Sequence, residues 1–197
     1  MHTWPGSTLF PAAFLFITIA CPVFAQALSA EKPAGLELGA AIAGTLIWGE
    51  DDMGVPVHVV IHNRTGEDAR NIVTTPSLFS SPDAPAKAGE ILQNHCPARI
   101  TAEMEANGQS VPRNSTRQLR FVSNTDVEEL EPDVDATPVL LICADYKLAG
   151  TDENRRSAIL YRVLHIDPVQ GPRPIDRMTG DVPAQSLKLE EIGRYAR

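Results

Sequence analysis

His58 and His62 form the first pair here whose type and spacing suggest chemistry, because two imidazoles four residues apart chelate one ion when they share a helix face. Their surroundings, Val55-Pro56-Val57-His58-Val59-Val60-Ile61-His62, alternate instead, with Val57, Val59 and Ile61 on one face and His58, Val60 and His62 on the other. Along a strand rising ~3.3 Å per residue the two rings sit about 13 Å apart, out of reach of one ion with ~2 Å bonds. The spacing predicts solvent-face histidines. His95 and His165 stand without a ligand partner at any metal-site spacing.

The second candidate chemistry is carboxylate chemistry. Asp126, Glu128, Glu129, Glu131, Asp133 and Asp135 follow one another with no base among them, and calcium takes six to eight such oxygens. Pro132 and the interleaved Val127, Leu130 and Val134 leave no regular ligand spacing, so the run reads as a solvated acidic loop. Glu50-Asp51-Asp52 before Met53-Gly54 reads as a charged hairpin turn. Nucleophile elbows, zinc-protease helices and phosphate cradles are absent from the sequence. No catalytic, cofactor-binding or metal residue is assigned. Asn63-Arg64-Thr65 and Asn114-Ser115-Thr116 match the glycosylation sequon, which places both segments at the surface.

Of three cysteines, Cys21 follows an apolar block at residues 9–20, inside a stretch, residues 1–30, that lacks Lys, Arg, Asp and Glu. An apolar core of this length, followed by small residues, is the pattern of an export signal, although only the initiator amine and His2, and no Lys or Arg, precede it. Cleavage after Ala25 or Ala27 is expected. Two alternatives stay open: lipid attachment at Cys21, where Thr18 occupies the place a bacterial lipobox gives to Leu, and an uncleaved anchor. Membrane association is expected only in those two cases. The mature chain is otherwise expected in the periplasm or outside the cell, where disulfides persist. Compartment and count then favour a bridge between Cys96 and Cys143. Two buried thiols, or a Cys96 nucleophile beside His95, are the competing readings.

The elements that must position these residues read as short strands separated by turns. The mature chain keeps the whole net charge of −8, which argues against nucleic acid as a partner. After the strand at 55–62, residues 63–66 turn the chain and 69–74 restart it. Cys96, Ala98, Ile100, Ala102 and Met104 share one parity, Asn107-Gly108 marks a turn, and Leu119 and Phe121 alternate with Gln118 and Arg120. Residues 139–144 are apolar on both faces, so they belong at the centre of a sheet covered above and below. Residues 158–166 are the expected partner, and a further strand is expected around 45–48. Six or seven strands without βαβ alternation predict an all-β antiparallel sandwich. Residues 167–183, rich in Pro and Gly, read as a linker or surface loop, and 186–195 as a short helix or a docking strand.

Residues 57–73, with alternating valines, Asn63, a turn at Gly66, then Ala69, Asn71 and Val73, resemble the strand-turn-strand segment of bacterial immunoglobulin-like adhesion-type domains. That resemblance implies an immunoglobulin-like sandwich acting as an adhesive, spacer or accessory module. It assigns no activity, and Tyr146 departs from the antibody spacing, in which Tyr stands two residues before Cys.

The organisation expected is a signal peptide at 1–25, a lead-in at 26–40, the sandwich at 41–167 and a Pro/Gly-rich tail at 168–197. The function expected is an exported non-catalytic module that binds or spaces a protein partner. The competing class is a carbohydrate- or small-ligand-binding module, or a hydrolytic one, and it predicts a row of exposed aromatics on one face.

Overall fold

Strand β3, Asp52–His62, shows how local pattern becomes architecture: Met53, Val55, Val57, Val59 and Ile61 are buried while the residues between them are not. The structure, a computed structural model, describes residues 35–50, 52–96, 106–126, 137–175 and 180–196. The signal at 1–25, the Cys21 site, the alternation through 98–104 and the acidic run beyond Asp126 lie outside the described residues.

Two antiparallel sheets are built. In the four-stranded sheet β3 is central, with β1, Glu37–Ile42, and β2, Ile47–Trp48, along one edge and β6, Thr116–Asp126, along the other. Pro56 explains why β1 and β2 are separate. Its carbonyl accepts the N–H of Ala43 at 2.8 Å, but it has no N–H to return, so the ladder breaks there. The larger sheet runs β10, β8, β7, β4, β5, where β4 is Ala69–Ser80, β5 Gln109–Val111, β7 Pro138–Leu148, β8 Asn154–Asp167 and β10 Leu187–Ala196. The short β9, Gly171–Arg173, pairs with the far end of β8.

The chain crosses between the sheets after β3, after β5 and again after β6. At the first crossing Asn63 is fully buried. Its amide donates to the carbonyls of Glu67 and Val111 (both 2.9 Å), and its Oδ1 accepts from the N–H and hydroxyl of Thr65 (3.0 and 2.6 Å). This side chain, read from the sequence as a surface sequon, is a polar pin: a buried amide is stable only when its donors and acceptors are met. Gly108 is tied to the same region, since a Cβ there would meet the backbone of Asn71 at 2.6 Å.

Leu38, Val57, Val59 and Ile61 from the smaller sheet share a core with Leu140, Ile142, Tyr146, Ile159 and Val163 from the larger one. The Tyr146 hydroxyl accepts the N–H of Leu36 at 3.2 Å. Residues of the opposite parity on β7 and β8, Val139, Leu141, Cys143, Ala158 and Leu160, form a second core on the outer face of the larger sheet. The cover there is α1, Ala84–Asn94, which buries Ala84, Ile91 and Leu92. The double-sided apolar reading of 139–144 thus has its two covers, one a sheet and one a helix.

That helix is absent from the strand-only expectation. Its signals were Pro85 at the start and apolar Ala84, Ala88, Ile91 and Leu92 at helical spacing. It lacks a capping side-chain bond and basic residues in its last turn, so packing stabilises it more than its ends do. β10 bulges between Glu191 and Gly193 beneath it. A Cβ at Gly193 would meet Leu92 at 2.9 Å and Ala88 at 3.2 Å, so glycine lets helix and strand approach.

Three boundaries are corrected. The lead-in limit at residue 40 falls inside β1, which pairs with β3 from Glu37. The strand expected at 45–48 holds only Ile47 and Trp48. The described residues of the tail expected at 168–197 belong to the body: Ile175 and Val182 are buried, Val182 exchanges backbone bonds with Leu46, and β10 pairs along β8. The segment 186–195 is therefore mainly strand.

Candidate functional site

The strand placement decides the histidines. His58 and His62 lie on the outer face of β3, opposite Arg120 and Thr116 of β6. The His62 Nδ1 and the Thr116 hydroxyl are 3.0 Å apart. His95 stacks on Phe79 with ring centroids 5.4 Å apart, and His165 lies between Leu187 and Arg173 in the ladder. Among the described residues no three His, Cys, Asp or Glu side chains gather to hold a metal ion.

The sulfurs of Cys96 and Cys143 stand at disulfide distance, 1.96 Å, with Cα atoms 5.9 Å apart. Both cysteines are buried in the outer core. A bonded, buried Cys96 has no thiolate to offer beside His95, so the nucleophile reading falls. The bridge joins the end of α1 to the central strand of the larger sheet.

Charged side chains in the larger sheet are mostly paired. Arg156 donates to both carboxylate oxygens of Asp145, at 2.7 and 3.0 Å, across the β7–β8 pair. Arg162 pairs with Glu190 across β8–β10, and Arg194 donates to both oxygens of Glu191 at 3.0 Å, which raises the Arg194 pKa. Burial pushes the Tyr161 phenol up, against the backbone hydrogen bond at Ala40, which lowers it. Asp167 is held below the usual carboxylate range by the N–H groups of Gln170 and Val169, each donating at 2.8 Å. These are groups that brace strands and turns.

Hollows lined by described residues include the following three. The first, about 340 Å³ and between β4 and β6, is walled by Ile72, Leu119 and Phe121 with no titratable group on it. The second, about 150 Å³, lies at the open end of β1 and β10. Its Arg64 and Arg194 are already paired, with Glu37 at 2.7 Å and with Glu191. The third, about 210 Å³, opens on the outer face of the smaller sheet and is lined by Ile47, Gly54, Pro56 and Val122 among others.

This last face is the best candidate. Ile47 is 54% and Val122 65% exposed, two of the three large apolar side chains exposed among the described residues. Pro56 opposes Val122 in the ladder, and Gly54 opposes Ile47 on one side and Asn124 on the other. Charge is graded along the strands. Asp52 faces out at one end, and His58 with Arg120 and then His62 stand toward the other. Sequence reading passed over this face, although its signal is visible: Pro56 and Val122 carry the solvent parity of their strands.

No protein-family model matches the chain, and no curated protein or solved structure registers as similar to it.

Proposed function

We propose that this chain is an exported, non-catalytic module of immunoglobulin-like arrangement that docks a protein on the outer face of its four-stranded sheet, as an adhesive, spacer or accessory domain at the envelope. The observation that carries the reading is the exposed apolar strip of Ile47, Pro56 and Val122, because an apolar patch rimmed by polar residues marks an interaction surface. Strand order supports the immunoglobulin-like part. β1, β3 and β6 follow the first, second and fifth strands of that arrangement, and β4, β7 and β8 follow the third, sixth and seventh, while its fourth strand has no counterpart among the described residues of the smaller sheet. The helix, β10 and a cysteine pair on the outer core, where antibody domains bridge the two sheets, are departures from it. The cysteine pair suits an oxidising compartment.

The carbohydrate-binding alternative calls for a row of exposed aromatics. Among the described residues Trp48, Phe79, Phe121, Tyr146, Tyr161 and Tyr195 are all buried or half-buried. They are also divided between two cores.

Photo-cross-linking in the producing cells tests the docking face. A benzophenone side chain at Val122 is expected to give an adduct, and one at Gln93, exposed on α1, is not. A clean monomer band from position 122 overturns the proposal.

A further inference from the structure

Two buried polar atoms that the fold leaves unpaired meet at one place. Thr74 Oγ1 and Gln109 Oε1 are shielded from solvent and make no hydrogen bond. Both residues line the hollow of about 340 Å³ between β4 and β6. Native folds leave few such atoms unpaired, because each has lost its hydration without return.

The backbone brings the two together. Ala69, Ile72 and Leu78 of β4 belong to the core between the sheets, and strict alternation from Ala69 would turn Val73 inward after it. β4 carries an extra residue instead: Ala69 and Thr74, five positions apart, oppose Leu148 and Ala144, four apart. Asn71, at φ 52°, lies within this bulge, and a bulge re-aims the side chains that follow it. Ile72 and Thr74 are thereby the residues turned inward. Gln109 of β5 opposes Ile72 and so shares its face. From the smaller sheet Leu119 and Phe121, opposite the buried Val59 and Val57, complete the wall.

We propose that this hollow binds a small neutral molecule, an apolar body bearing a hydroxyl or amide group. The N–H or O–H of that group donates to Gln109 Oε1, and the Thr74 hydroxyl bonds its oxygen. The body covers Ile72, Leu119 and Phe121. None of the described residues lining the hollow is titratable, so an ion there would give up hydration with no countercharge to meet it. Water would satisfy the two polar atoms but leave the apolar wall wet. The volume falls near the lower end of the ~300–1,000 Å³ of small-molecule sites. A peptide strand laid along β4 is disfavoured. Among the described residues no strand flanks that edge past Ile72, but Pro76 interrupts it, and proline within a sheet turns its missing donor toward the open side. The site uses the inward face of β6, so it stands or falls separately from docking at the outward Val122.

Benzamide is the probe, with toluene as its apolar counterpart and benzoate as its charged one. Titrated into the isotope-labelled mature chain, benzamide is expected to shift the Gln109 side-chain amide and the backbone amides of Thr74 and Gly108 saturably, at about millimolar Kd for so small a molecule. Benzoate should bind at least ~10-fold more weakly. Thr74→Val and Gln109→Met keep the shape and remove one polar atom each, so each should weaken benzamide ~3–10-fold and leave toluene within ~2-fold. Each variant also removes an unpaired buried atom, so its urea midpoint without probe should equal or exceed that of the wild type. Absence of saturable shifts, shifts confined to another part of the fold, or variants that bind benzamide as tightly as the wild type overturn the proposal. A loss of toluene equal to the loss of benzamide also overturns it, by assigning the hollow to apolar contact alone. So does a lowered urea midpoint in both variants, which would show that the two atoms already have partners within the fold.

Discussion

Removing the cysteine pair, as Cys96→Ala with Cys143→Ala, is the perturbation whose size follows most directly from the structure. The two residues are 47 apart in sequence, and a cross-link over a loop of that length removes unfolded-chain entropy worth about 4 kcal/mol at 25 °C. Both side chains are buried, at 5% and 1% exposure, so truncating each sulfur leaves a small void and adds ~1 kcal/mol. In a domain of this size ~1 kcal/mol moves the melting temperature by about 2–4 °C, so the double variant should melt at least ~10 °C lower. Urea unfolding under non-reducing conditions is the assay, and the slope of the transition is as informative as its midpoint. Freed of the cross-link, the unfolded chain expands and exposes more surface, so the slope should steepen while the midpoint falls. Wild-type protein fully reduced in urea should refold to the same reduced stability. A double variant whose midpoint and slope both match the oxidised wild type would refute the argument, because a bond closing that loop cannot be removed without changing the unfolded state.

Three further outcomes follow from buried or turn-forming polar groups. Asn63→Ala leaves the carbonyls of Glu67 and Val111 without their shared donor, and should cost about 2–3 kcal/mol in chemical unfolding. Mass spectrometry of the protein made in a glycosylating host should find no glycan at Asn63, whose side chain is fully buried and bonded. Asp167 has a lowered folded-state pKa, so its contribution is present above the usual carboxylate value and is lost as pH falls through the lowered one. Hydrogen exchange at the amides of Val169 and Gln170 should accelerate over that acidic window, and Asp167→Ala should remove the pH dependence at those amides.

How far the architecture was legible follows from which residues signal locally. The alternation of Val57, Val59 and Ile61 placed β3 and its faces, and with them the wide separation of His58 and His62. The apolar run at 139–144 announced a strand covered on both sides. The helix went unread because it is held by Ile91 and Leu92 packing on the sheet, with weak end signals of its own. Asn63 shows the opposite error: a turn-forming, sequon-bearing asparagine looks exposed until the crossing chain closes over it.

The amino-acid sequence alone determined the β class, the parity of the main strands and the acidic charge, because alternation and composition are carried by neighbouring residues. Which apolar residues on the solvent parity would converge, as Ile47, Pro56 and Val122 do, was decided only in three dimensions. Strand register, a property of residues distant in the chain, set β2 and β6 on opposite edges of β3 and so built the face.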